Sequence, residues 1–329
     1  MRRREFITIT GGAALTWPLA ARAEAPPKRP VIAWLGIFMA PKSFPGTFVK
    51  DFLQGLEERG YIQGQNFDFV LRVADGHPDR VPAIVEEFDR LRTDVILAAA
   101  TFEAVVAKKA TSTIPIVCPA LADAVHLGLI ESESRPGGNL TGIEPYVAGL
   151  PGKQIELARE IMPRASKIGL LTNLEDPKAP PQLKELEAAC RTLDIKVVAA
   201  NVSRPEEIDD VLRGLAAEKV DLVIVLQTNL LLLHCRQIAA TALAERLPTL
   251  YGYREHVMAG GLISYGVNLS WCYRRAAYFV DRILHGTPPR DLPVEFPNQV
   301  LLSVNRKTAD ALGLAVPPTL LARADEVIE

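Results

Sequence analysis

The sequence predicts an α/β protein of two doubly wound parallel-sheet lobes joined by a multi-strand hinge. Short apolar runs alternate with helix-period segments along almost the whole chain, the pattern of repeated strand–helix units. The alternation breaks at a glycine-rich turn near residue 140 and then restarts. A further strand and a 14-residue helical segment follow the second series, so the chain must cross between the halves more than once.

In the first half, the near-continuous apolar run 31–37 reads as a buried parallel strand. Val49, Phe52, Leu53 and Leu56 mark a helix face, and Gly60 sits where a C-terminal cap belongs. Phe67, Phe69, Leu71 and Val73 alternate as a strand. Residues 81–91 read as a helix with Ile84, Val85, Phe88 and Leu91 inward, then 94–99 as a strand, 103–110 as a helix and 114–117 as a strand. The Pro-Gly-Gly-Asn core of 134–142 is a turn. It lacks the Lys-Ser/Thr of a P-loop and the spacing of a dinucleotide fingerprint.

The second half reads as helix 153–162, strand 167–171, a helix carrying Leu183, Leu186, Ala189 and Leu193, and strand 195–199. Ser203 and Glu206 form a capping box opening a helix with Ile208, Val211, Leu212 and Leu215 inward. Strand 220–226, helix 230–246, strand 248–251 and strand 262–266 complete it. Helix 271–284 is expected to return to the first lobe. A late strand 301–304, a short helix 306–312 and a C-terminal helix from Pro317-Pro318 to residue 328 follow. The expected boundaries are a signal peptide at 1–23, a mobile lead-in at 24–30, lobe 1 at 31–144, lobe 2 at 145–266, a return to lobe 1 at 267–295, and a third crossover with C-terminal helices at 296–329.

The first residues, Met1-Arg2-Arg3-Arg4-Glu5-Phe6-Ile7, with a short apolar stretch and Ala21-Arg22-Ala23, have the form of an export leader. Arg3-Arg4-x-Phe6-Ile7 matches the twin-arginine variety. Cleavage after Ala23 leaves 306 residues for the periplasm, with no anchor. Net charge is −2; the leader holds four Arg and one Glu, so the remainder is −5. A mildly acidic chain without a basic stripe is a poor nucleic-acid binder, and no later apolar run spans a bilayer.

Cys118, Cys190, Cys235 and Cys272 form no CxxC and read as buried small hydrophobes. The five histidines show no zinc spacing, and the nearest approach to a nucleophile elbow, Ser264 in 262–266, lacks its first Gly. Metal, cofactor and catalytic residues are therefore expected to be none. Binding remains. In doubly wound sheets, ligands sit beyond the C-terminal ends of the strands. The loops there offer Phe38, Thr101, Phe102, Asp123, Asn173, Asp176, Gln227, Thr228, Tyr251 and Tyr253, with Tyr265 beside a crossover. Thr101, at a helix start, is placed to hold a carboxylate. Asp123 is placed to take an ammonium or hydroxyl, and the aromatics to cover an apolar body.

The leader, Gly55-Leu-Glu-Glu-Arg-Gly-Tyr61 with Gly64-Gln-Asn66, Arg135-Pro-Gly-Gly-Asn-Leu-Thr-Gly142, Ala259-Gly-Gly-Leu-Ile-Ser-Tyr-Gly266, Ala311-Leu-Gly-Leu314 and the end from Pro317 to Glu329 occur in a specific order and spacing. In these the chain resembles the bacterial ABC-transporter substrate-binding family of type I periplasmic binding fold, in its tryptophan/tyrosine-binding-like group. The resemblance implies a monomer whose lobes close on a small solute and present it to an inner-membrane ABC permease; an amino acid or aromatic carboxylate is the expected ligand. The chain departs from the family pattern at Ala122-Asp123-Ala124-Val125, at Asn173-Leu174-Glu175-Asp176-Pro177 and in the leucine-rich 228–233. A periplasmic sensor docking on a membrane receptor kinase is the alternative, and a secreted α/β enzyme a more distant one.

Overall fold

The computed structural model describes residues 29–37, 48–145, 147 and 149–329. The leader, its cleavage site and Phe38 lie outside the described residues.

The first sheet is parallel throughout, in the order β2-β1-β3-β4-β5. Its strands are β1 (Val31–Gly36), β2 (Asp68–Val73), β3 (Val95–Ala98), β4 (Ile116–Cys118) and β5 (Leu140–Gly142). Three of its crossovers carry α1 (Phe48–Glu57), α2 (Val81–Arg90) and α3 (Thr101–Ala110). β1 and β3 are almost wholly buried, as continuous apolar runs in a sheet covered on both faces should be.

The second sheet runs β12-β11-β10-β9-β8-β6-β7. Its strands are β6 (Lys167–Thr172), β7 (Lys196–Asn201), β8 (Leu222–Val225), β9 (Thr249–Tyr251), β10 (Ile263–Val267), β11 (Val300–Asn305) and β12 (Glu326–Ile328). All its pairs are parallel except β10 with β11. The helices are α4 (Leu150–Ile161), α5 (Ala179–Thr192), α6 (Ile208–Ala217), α7 (Asn229–Leu233), α8 (Cys235–Ala244), α9 (Arg254–Met258), α10 (Leu269–Leu284), α11 (Arg306–Leu312) and α12 (Pro318–Leu321). The predicted fold class, two doubly wound α/β lobes, is the observed one.

α10 leaves the second sheet and packs against α1 on the first. The approach is close enough that a Cβ on Gly55 would lie 2.3 Å from the Arg274 carbonyl oxygen. Tyr273 anchors α10: its hydroxyl donates to Ala99 O at 2.8 Å, and its ring stacks on Phe48 and Trp34 at 4.3 and 5.7 Å between centres. The chain then recrosses, and β11 and β12 extend the second sheet.

Several local expectations change. The helix expected over 230–246 divides into α7 and α8 at His234. Neighbouring leucines explain the break: Leu231 buries in the second lobe's core, while Leu232 joins the first lobe's cluster. The C-terminal helix stops after one turn and gives way to β12, registered on β11 and tied by Leu302 N–H to Asp325 Oδ2 at 2.8 Å. The 134–142 turn ends in a buried strand, β5. The capping carboxylate ahead of α6 is Glu207, which accepts from Ser203 N at 3.0 Å, rather than Glu206. The four cysteines are buried and unpaired, and burial, helped by the nearby Glu187 charge, raises the Cys190 thiol to about 11. Among the described residues no helix is long and apolar enough to cross a membrane.

Candidate functional site

A cavity of about 420 Å³ lies between the lobes, at the C-terminal ends of the strands. The first lobe contributes Pro78 and the start of α3 (Ala100, Thr101, Phe102). The second contributes Asn173 and Glu175 to Lys178 after β6, Ser203 to Pro205 after β7, and Asn229, Leu230 and Leu233 of α7 with His234. Most of this wall is apolar. Two second-lobe side chains, Leu232 and Tyr253, are buried within the first lobe's apolar cluster and join the lobes beside the cavity.

The loop after β6 is shaped by its own side chains. Asn173 Nδ2 donates to Val202 O at 2.7 Å, and its Oδ1 accepts from Asp176 N at 3.0 Å. Asp176 Oδ1 accepts from Lys178 N at 3.0 Å, and Oδ2 accepts from Asn229 N at 2.7 Å, locking this loop to the start of α7. Lys178 Nζ is 3.9 Å from Asp176 Oδ2 and 6.0 Å from the Tyr253 ring centre. Lys178 is 7 % exposed and Asp176 9 %. Burial works against the ammonium, but Asp176 together with Tyr253 and Cys118 outweighs it, so Lys178 is held above the usual lysine range and stays charged.

Glu103, in the first turn of α3, accepts from Ile37 N at 3.0 Å through Oε1; its Oε2 has no hydrogen-bond partner among the described residues. Burial raises its carboxyl, an effect reduced by its hydrogen bonds and by Lys178. Burial likewise lowers His234 on the cavity wall. Among the described residues no group of His, Cys, Asp and Glu is arranged to hold a metal ion.

Of the residues chosen from sequence, Thr101, Phe102, Asn173 and Asp176 meet at the cavity. Thr101 does so differently than expected, because its hydroxyl donates to Ala120 O at 3.0 Å and braces the loop after β4. Tyr253 lies buried beside Lys178. Thr228 is buried next to α7 with its Oγ1 unpartnered among the described residues. The others stand elsewhere. Tyr251 is fully buried in the second lobe, stacked on His256 at 4.5 Å. The Gln227 backbone exchanges hydrogen bonds with the Gln182 side-chain amide, and the Gln227 Nε2 donates to Gly252 O. Tyr265 packs on the second lobe's core. Asp123 is exposed in a left-handed backbone conformation, its N–H donating to Glu144 Oε1 at 2.9 Å. Sequence reasoning missed Lys178, Arg204, His234 and the α7 leucines at the wall. The signal for Lys178 was its place two residues after Asp176 at a strand end, but a lysine between prolines reads as solvated.

A cavity closed by two α/β lobes that the chain crosses repeatedly defines the class: a two-lobed binding protein of type I periplasmic binding fold. The family model for ABC transporter substrate binding proteins matches residues 46–328, and the chain belongs to that family. A tyrosine-binding protein from Clostridioides difficile is 27 % identical over 265 residues, 80 % of this chain and 76 % of that protein. The crystal structure of a conserved domain protein from Vibrio cholerae is 27 % identical, with a TM-score of 0.82, and the match covers 91 % of this chain and all of that one. An ABC domain from Streptococcus pneumonia solved in complex with L-Trp is 23 % identical, with a TM-score of 0.83 over 92 % of this chain and all of that one.

Proposed function

We propose that this protein is the periplasmic solute-binding component of an ABC importer. It takes a small organic solute, an amino acid or an aromatic carboxylate, between its lobes and delivers it as a monomer to an inner-membrane permease. It performs no chemistry on the solute. The observation that carries this reading is the cavity walled by both lobes, apolar over most of its surface and holding the buried Asp176–Lys178 ion pair. The tyrosine-binding and L-Trp-bound relatives support the ligand class. The leader supports export by the twin-arginine route, and the sheet-to-sheet crossings supply the hinge for closure.

A thermal-shift screen of amino acids, aromatic acids and sugars tests the reading. Saturation at about 100 times the dissociation constant adds roughly 2.7 kcal/mol to stability. Stabilisation by an amino or aromatic acid is expected; stabilisation only by sugars or metal ions overturns the assignment.

A further inference from the structure

The charges at the cavity are distributed unequally between what the protein supplies and what a ligand must bring. Asp176 is the buried carboxylate of the wall, and it is already committed. Each of its oxygens accepts a backbone N–H, and the Lys178 ammonium stands 3.9 Å from Oδ2. A ligand ammonium seeking that carboxylate would have to share it with two backbone N–H groups and would meet the like charge of Lys178 in a partly desolvated site, where such repulsion is strongest. The wall's other acid, Glu175, is exposed to solvent. Glu103 is not part of the wall, and it already feels the charge of Lys178.

The reverse holds for a ligand anion. Lys178 is more than nine-tenths buried, and an ammonium has three donors. Its distance to Asp176 is that of an ion pair, beyond hydrogen-bond reach, and with Tyr253 as one partner two of its three donors remain for an incoming oxygen. Arg204 adds to the positive side of the wall, although its guanidinium is engaged by Glu207 at 2.8 Å. Phe102, Leu230 and Leu233 provide apolar surface for the rest of the molecule.

We infer that the ligand is an apolar or aromatic carboxylate without an α-ammonium group, and that Lys178 occupies the seat an amino acid's ammonium would take. Lys178 is then the specificity-determining residue. This inference rests on the solute-binding reading and narrows it from two ligand classes to one.

Matched pairs that differ only by the ammonium test it: 3-phenylpropanoate with L-phenylalanine, 3-(4-hydroxyphenyl)propanoate with L-tyrosine, and 3-indolepropanoate with L-tryptophan. Each is titrated calorimetrically into the leader-free protein. In the best-bound pair the des-amino acid is expected to bind at least tenfold more tightly. Lys178→Met is expected to weaken that acid at least tenfold and to leave the amino acid unchanged or improved. A tighter-binding amino acid, or a Lys178→Met protein with undiminished affinity for the des-amino acid, overturns the inference while the solute-binding reading stands. Binding of none of the six overturns the inference, and the wider screen above then decides the reading itself. If Lys178→Met fails to fold, judged by circular dichroism, the wild-type comparison alone decides.

Discussion

Glu255 and His256 are adjacent, fully buried, and pulled in opposite directions. Burial raises the Glu255 carboxyl from its ordinary 4.5 to about 7 and lowers the His256 imidazole from 6.5 to about 4. Stability from Glu255 is therefore fully present below about 4.5 and is lost as pH rises to about 7. Stability from His256 is present above 6.5 and is lost as pH falls towards 4. Each slope is about 1.4 kcal/mol per pH unit, so between about 4.5 and 6.5 they largely cancel. Glu255→Gln removes one of the two. Its melting temperature relative to wild type should climb from pH 4.5 to 7 and then level off; a pH-independent difference in melting scans would contradict the assignment. At the cavity, Phe102→Ala removes the largest apolar side chain of the wall and should weaken the bound solute about tenfold, roughly 1.4 kcal/mol, by calorimetric titration. Unchanged affinity would place the ligand elsewhere. The site was partly legible at this scale. Residues at strand ends, such as Thr101 and Asp176, can be placed from strand periodicity alone. Tyr251 and Lys178 cannot, because whether a strand-end tyrosine turns inward or a loop lysine becomes buried depends on packing from the other elements.

Among the elements, α10 ties the lobes together. It leaves β10 in one sheet and packs on α1 at the other, and the contact depends on the missing side chain of Gly55. Gly55→Ala would drive a methyl group into the Arg274 carbonyl and should cost about 1–3 kcal/mol in denaturant unfolding; a loss below about 0.5 kcal/mol would mean that the helices separate freely. Tyr273→Phe leaves Ala99 O without its donor and should cost about 1 kcal/mol in the same measurement. Long periodic elements such as α2, α6 and α10 were readable because one face repeats every three to four residues. β5, three residues long, and α9, five residues long, have too few positions to show a period. β12 is set by its partner β11 and by the Arg254–Glu326 ion pair at 2.9 Å, contacts that only the tertiary fold creates.

For the whole molecule, the alternation of strand and helix, its restart after residue 142 and the late crossings predicted two interleaved lobes. How the lobes meet was not encoded in any local pattern. That contact rests on Leu232 and Tyr253, second-lobe residues buried in the first lobe's apolar cluster. A ligand between the lobes would add its own contacts to this bridge, and its differential affinity for the closed arrangement is what shifts the hinge. Small-angle X-ray scattering of the leader-free protein tests this most directly, with and without a saturating amount of the acid that raises its melting temperature most. The account predicts that the radius of gyration falls on binding and that the scattering matches one closed monomer; an unchanged radius of gyration with a saturated site would contradict closure around the ligand.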